Sequence, residues 1–358
     1  MSWLLAFAGF AALVVLHELG HFMAAKAVGM RVERFALFFP PLLFKVRRGE
    51  TEYGVGAIPL GGYVKISGMN PREELPPEVA PRVYYRQAPW KRIVVILAGP
   101  LMNVLIAFFI LFGLFVAQGE FVADSTRVDQ ISKGSPAAGI LRPGDRLLAV
   151  DGRRGDITAL RTQLASHTCA GTPVNGCRAS TPAHLRIRRG EQTLEVSARP
   201  RYSKAQQRPL LGFTFGEYRP VGVVKASGDA VSGMWRVTKA TVSAIAKIFY
   251  SSKARKDVHG VVGSYETTRQ AINFSATDAL TILALISLSL AIVNLFPFLP
   301  LDGGHVFWAL AEKLRGRAIP FAVMERAGVF GFVLVGFLFI VGLSNDIGTL
   351  AGKGFGPP

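Results

Sequence analysis

Two histidines and a glutamate stand inside the apolar run "ALVVLHELGHFMAAKA", residues 12–27. His17 and His21 are four positions apart, so on a helix their imidazoles share one face, about one turn from each other. Two imidazoles so placed can reach one zinc ion, and Glu18 between them can hold the water a zinc hydrolase uses. In a soluble helix the same triplet would also read as a solvated polar face. Within an apolar run a carboxylate without a partner is costly, and a specific task becomes the default inference.

A hydrolytic zinc site takes three protein ligands and keeps the fourth position open. The soluble pattern HExxHxxGxxH would need glycine at 24 and histidine at 27, where this chain has Ala24 and Ala27. The third ligand therefore has to come from another segment at the same membrane depth. Asp302 in "NLFPFLPLDGGHVF" is the acidic residue that fits, with Gly303 and Gly304 beside it to permit close backbone approach. In the same segment Asn294 offers both a donor and an acceptor, and Pro297 and Pro300 interrupt the helix and release its carbonyls. Asn294 also reads as a polar contact between helices. Asn103, after Gly99-Pro100, reads either as support for the site or as a contact between helices. His305 has no required place beside three ligands and a water.

These residues need elements that hold them in lipid. Half the chain (50%) is hydrophobic, above the range of ordinary soluble domains. Four stretches approach the roughly 20 residues a helical span requires. They are Met1–Leu16, continuing to Ala25 with Glu18 as its one acid, then Ile93–Ala117, Ala279–Leu301 and Ala327–Asn345. No basic residue precedes Lys26, so the first stretch reads as a retained helix and not a signal peptide. The expected order is a first transmembrane helix in 1–30, a cytoplasmic loop over 31–92, and a second span over 93–117. An outer domain follows over 118–220, an interfacial helix and linker over 221–278, and a third span over 279–305. A cytoplasmic loop over 306–326 and a fourth span with its tail over 327–358 complete it.

Lys and Arg concentrate in the loops 26–92 and 303–326, which places those loops in the cytoplasm and both termini outside. The segment 118–278 is too long for that rule, and Arg269 alone points the other way. The net charge of +17 is spread over three segments without aromatic interleaving, which argues against nucleic acid and for anionic lipid as the partner of the first loop.

Both cysteines, Cys169 and Cys177, fall in the outer segment, where an even pair in an oxidising compartment predicts a disulfide closing "CAGTPVNGC". Two thiols alone do not make a structural zinc site. Further on, Val231, Met234, Trp235, Thr238, Val242, Ile245 and Phe249 share one helical face, with Arg236, Lys239 and Lys247 on a flank. That pattern suits a helix lying in the membrane interface, or one packed on the outer domain. In the first loop, "TEYGVGAIPLGGYVKISG" reads as two strands around a Pro/Gly turn.

The stretch "SKGSPAAGILRPGDRLLAVDG" resembles a PDZ domain of the permuted type on bacterial envelope proteases. There Ser135-Pro136-Ala137-Ala138 would open a short helix and Gly144-Asp145 would turn into the strand "RLLAVDG". Taken with "HELGHFMAA", "AIPLGGYVKISG", "AGPLMN" and "NLFPFLPLDGG", the chain resembles the site-2 protease family, zinc proteases that cut inside the membrane, in its bacterial branch with a PDZ insert. The resemblance implies a polytopic α-helical membrane protein with four transmembrane helices, a membrane-associated β-hairpin and an inserted extracytoplasmic α+β PDZ-like domain. It implies a bacterial inner or plasma membrane, with the active site toward the cytoplasm. His17, His21 and Asp302 would bind Zn2+ and Glu18 would be the general base. Asn294, Pro297 and the edge Gly62-Tyr63-Val64-Lys65 would handle an unwound substrate. Substrates would be single-span membrane proteins, such as anti-sigma factors or signal-peptide remnants, trimmed first by a site-1-type protease. Many bacterial members carry the second proline at the place of Leu299, and "HGVVGSYETT" (259–268) has Val261 where relatives tend to have the proline of a "GPVG" loop. A peptide-binding scaffold that no longer cuts is a second reading, against which the intact Glu18 argues. A zinc transporter is a third, weakened by the lack of an internal repeat.

Overall fold

In lipid a backbone must satisfy its own polar groups, and a helix does so within one segment. Among the described residues of the computed structural model the α-helices are α1 (Ser2–Ala27), α2 (Pro89–Gln118), α3 (Ile157–Ala165), α4 (Val223–Ile248), α5 (Val261–Phe274), α6 (Ala276–Asn294), α7 (Asp302–Arg315) and α8 (Phe321–Ala351). Of these, α1, α2, α6 and α8 are long and apolar enough to cross a membrane. The structure describes residues 2–70, 72–123, 125–132, 134–204, 206–248, 250–252 and 260–351. Chain contacts divide it into two units, Met1–Leu114 with Ser227–Pro358, and Phe115–Ala226.

In the first unit α1 buries Leu13, His17, His21 and Ala25, a stripe at four-residue spacing. Trp3, Leu4, Leu5 and Phe7 point outward, as do Phe330, Phe332 and Phe337 of α8. Apolar side chains on the outside reverse the pattern of a water-soluble helix and fit hydrocarbon surroundings. The base of the unit is an apolar cluster that includes Ala25, Met30, Val32, Ile66, Tyr84 and Val95.

Two long strands follow α1: β1 (Val32–Arg48) and β2 (Thr51–Ile66), joined by a turn at Gly49-Glu50. The expected pair of strands around Ala57–Gly61 takes another form. Gly62–Lys65 and Glu52–Val55 both pair with Arg34–Leu37, one on each side. The two halves of "TEYGVGAIPLGGYVKI" are therefore separated by β1 instead of pairing with each other. The bulges that fold each long strand back on itself make this layout, and no local pattern in one loop announces them. Glu50 at the turn is held by Arg82 at 2.8 Å and by Lys26 at 2.7 Å.

The third apolar stretch also differs from expectation. Helix α6 ends at Asn294, residues 295–301 are not helical, and Asp302 opens the separate helix α7. Pro297 and Pro300 lack the N–H a helix needs and disfavour helical geometry in the residue before them. Residues 306–315, expected as loop, continue α7 on an amphipathic pattern, and the left-handed Gly316 ends it. The fourth helix is longer than its charge-free core. It runs from Phe321 through the buried Asp346 to Ala351.

The second unit is α+β. After the short strands β3 (Glu120–Val122) and β4 (Val128–Ile131), strands β5 (Arg146–Val150), β6 (Ala183–Arg189) and β7 (Gln192–Ala198) form an antiparallel sheet. In β6, Ala183, Leu185 and Ile187 are buried while His184, Arg186 and Arg188 are exposed, the period of two that a half-buried strand requires. Asp156 caps α3 by accepting the Ala159 amide at 2.8 Å. Val128, Leu147, Leu160, Leu185, Ile187 and Phe215 are among its core residues. Gly144 turns into β5 with φ 92°. Ser135–Ala138 forms successive turns and no helix, and the left-handed Gly139 interrupts the segment. Cys169 and Cys177 are bonded, with their Cα atoms 6.2 Å apart.

On α4, Val231, Trp235 and Val242 are exposed whereas Met234 is buried. Phe249 of that expected face lies outside the described residues, as does His259 of "HGVVGSYETT"; Gly260 precedes α5, and Val261 to Thr268 are its start.

Candidate metal centre

The site is assembled from three segments. The four-residue spacing on α1 brings the two imidazoles together edge to face, at 84° to each other, with their Nε2 atoms 3.3 Å apart. Asp302 is carried in by the start of α7, whose Gly303 and Gly304 pack against the backbone of Leu295–Leu299 so tightly that a Cβ at either would overlap it. The Asp302 Oδ2 atom lies 3.3 Å from each Nε2. All three ligand atoms fall within 4.8 Å of one another.

Chemistry decides what such a cluster is for. Both histidines are 7% exposed. Asp302 Oδ2 is buried and, despite its two close neighbours, makes no hydrogen bond. A buried acceptor without a donor calls for an explanation. Two imidazole nitrogens and a carboxylate oxygen that converge in this way match the donor set and count of a hydrolytic zinc site. The residues fit the ion.

The second requirement is space for a reaction. A cavity of about 320 Å³ opens beside the cluster, walled by Glu18, Gly62, Tyr63, Val64, Asn294 and Asp302. The Val64 amide donates toward the Glu18 carboxylate. Gly62 leaves room for that carboxylate, since a Cβ there would stand 2.9 Å from Glu18 Cγ. Asn294, the last residue of α6, reaches with Nδ2 to 3.4 Å from His17 Nε2. Tyr63 stacks on Phe39 with centroids 5.9 Å apart, and its hydroxyl accepts from Arg34 at 2.8 Å.

Two expected residues stay off the cavity wall. Pro297 belongs to the break between α6 and α7 and does not line it, and the Lys65 ammonium turns to Glu33 and Glu73 at 2.7 and 2.6 Å. His305 does line it, with its ring edge-on to Tyr84 at 6.4 Å. Of the supports of the site, the sequence reading offered Asn103 in one of two readings and named none of the others. His21 Nδ1 donates to the Val95 carbonyl at 2.9 Å, Asn103 meets His17 Nδ1 at 3.1 Å, and Arg92 pairs with Glu312 at 2.8 Å. The four-residue spacing of Val95, Gly99 and Asn103 was a signal in plain view, whereas no local pattern ties Arg92 to Glu312.

Comparison with known proteins gives a consistent result. The family model described as Peptidase family M50 matches residues 5–338. A protein of Clostridium perfringens named "Putative zinc metalloprotease CPE1693" is 31% identical over 360 residues, 97% of this chain and 98% of its own length. One of Nostoc, named "Putative zinc metalloprotease all3971", is 29% identical over 363 residues, 98% of this chain and 97% of its own. "Zinc metalloprotease Rip1" of Mycobacterium tuberculosis is 30% identical over 342 residues, 84% of this chain and 83% of its own.

Proposed function

Because this chain belongs to peptidase family M50, we propose that it is a zinc endopeptidase of the site-2 type that hydrolyses peptide bonds within membrane segments of single-span proteins. In this reading His17, His21 and Asp302 hold the metal and Glu18 is the base. The observation that carries it is the meeting of three potential ligand atoms beside Glu18, on a cavity inside a unit built of apolar helices. Zinc, when bound, supplies Lewis acidity that makes water nucleophilic near neutral pH and draws charge from a carbonyl.

The protein's own groups do the rest. Glu18 takes a proton from the attacking water as the new C–O bond forms, then delivers it to the nitrogen as the C–N bond breaks. Water and peptide become a carboxylic acid and an amine with no further reactant. A helical substrate must first unwind, and its freed backbone needs partners. Gly62–Lys65 pairs with β1 on one side, and its other side faces the cavity through the Val64 amide, which supports addition of a substrate strand there. Asn294 stands ready for a substrate carbonyl or amide on the opposite wall.

The unit Phe115–Ala226 is read as an extracytoplasmic PDZ-like domain. Its cavity of about 580 Å³, bordered by Leu211, Gly212 and Phe213, is suited to trimmed chain ends. The uncovered apolar residues of α4 support its lying in the membrane interface. Basic loops favour a cytoplasmic placement of the site and outer placement of the termini, in a bacterial inner membrane. Substrates would arrive after a first cut outside.

The test uses detergent-purified protein, wild type beside Glu18→Gln, with a single-span model substrate. The expected result is about one zinc in each and cleavage only by the wild type, with a loss of roughly 10²–10⁴-fold in the variant. Zinc in both without cleavage of several substrates would favour the scaffold. A wild type without zinc would sink the ligand set.

A further inference from the structure

One face of α2 meets both histidines. Val95, Gly99 and Asn103 recur every four residues along it. At the first, the Val95 carbonyl can only accept, so His21 carries a proton on Nδ1, and Nε2, toward Asp302, is the nitrogen left to bind a cation. At the second, Gly99 lies flat against the His21 ring, where a Cβ would overlap the imidazole, and Gly20 of α1 meets the Ala98 carbonyl as closely. At the third, Asn103 is wholly buried, 3.1 Å from His17 Nδ1.

A carboxamide has two ends of the same shape, so this pair reads either way round. With Nδ2 toward the ring, Nδ1 must accept, the imidazole proton moves to Nε2, and the nitrogen facing Asp302 is blocked. Oδ1 is then buried without a partner. With Oδ1 toward the ring, Nδ1 donates and Nε2 is left to bind a cation, as in His21. Only the second arrangement leaves both rings able to bind one cation.

We infer that Asn103 is a positioning residue of the metal centre, its Oδ1 accepting Nδ1–H of His17 and thereby fixing that ring's tautomer and orientation. The inference rests on the zinc reading above. One helix thus supplies the outer partner of both imidazoles, by a backbone carbonyl for His21 and by a side chain for His17. A contact that merely joined helices would not need this end of the amide. The Ser287 hydroxyl already bridges α6 to α2 by donating to the Asn103 backbone carbonyl at 2.9 Å.

The experiment is zinc competition titration of the full chain in detergent, with a chromophoric chelator, for wild type, Asn103→Leu and Asn103→Asp. It is joined to ¹⁵N imidazole spectra of the zinc-loaded wild type. Loss of an outer partner lowers metal affinity by about 10–100-fold, and that is the drop expected for Asn103→Leu. Asn103→Asp keeps the acceptor and should retain affinity far closer to the wild type. His17 should carry its proton on Nδ1. A leucine variant that binds zinc like the wild type, or an aspartate variant that loses it like leucine, overturns the inference. So does Nε2–H on His17, a readout that needs no variant to fold. A wild type that binds no zinc fails the protease reading itself.

Discussion

Asp145 of one unit and Asp302 of the other are carboxylates treated in opposite ways. Asp145 in the Phe115–Ala226 unit is 1% exposed and fully partnered. Arg189 donates to both its oxygens at 2.8 and 2.7 Å, and the Arg142 amide adds a third bond at 2.8 Å. Asp302 in the other unit has an oxygen between two imidazoles and no hydrogen bond on it. A buried charge whose partners are all filled is architecture, since removing either half strands the other. A buried carboxylate oxygen set between two imidazoles has the donor set of a metal site.

The largest effect that would break this comparison is at the second carboxylate. Asp302→Ala should cost more zinc affinity than the roughly 10–100-fold of an outer partner, while leaving the helices intact by circular dichroism. Equal zinc content by elemental analysis would move the third ligand elsewhere. Asp145→Asn should do the converse. It weakens charge-assisted bonds worth about 1.5–3 kcal/mol, read as a lower urea midpoint of the Phe115–Ala226 signals, with zinc content unchanged. Zinc loss in that variant would erase the distinction between the two carboxylates.

The smallest effect is in pH. Burial pushes Asp145 up, but the Arg189 hydrogen bonds and the Arg142 amide outweigh it and hold the carboxyl below the ordinary aspartate range. A depressed folded value means the unfolded chain binds more protons in between, so stability rises with pH there. The contribution is complete above the unfolded value of about 4 and fades as pH falls through the folded one. Urea midpoints of the Phe115–Ala226 signals taken from pH 6 downward should show the loss, and Asp145→Asn should flatten it. An unchanged slope in the variant would assign the acid sensitivity to other groups.

What could be read from the sequence divides along the range of the interactions. The pair His17 and His21 and their glutamate are set by helical spacing alone, and the four apolar runs by bilayer thickness. Asp302 was found by chemistry, as the acid at the right depth. The point where α6 stops and α7 starts was harder, because two prolines mark a break without fixing its two ends. The strand layout depended on bulges, which a short motif does not encode. Asp346 looked like the end of a span, yet it is buried and accepts the amides of Gly260 and Gly263 at 3.0 and 2.8 Å. Such a cap joins residues more than eighty positions apart, a relation that no local window contains.

The cavity beside Glu18 has a consequence for supply. At about 320 Å³, and with a molecule of liquid water taking roughly 30 Å³, it has room for on the order of ten solvent molecules. A peptide strand laid along Gly62–Lys65 would evict most of them, so the nucleophile would be drawn from the small stock that stays. Turnover then depends on how quickly that stock is refilled from the aqueous side, and heavy-oxygen water added after the substrate should enter the product with a lag that a surface protease would not show.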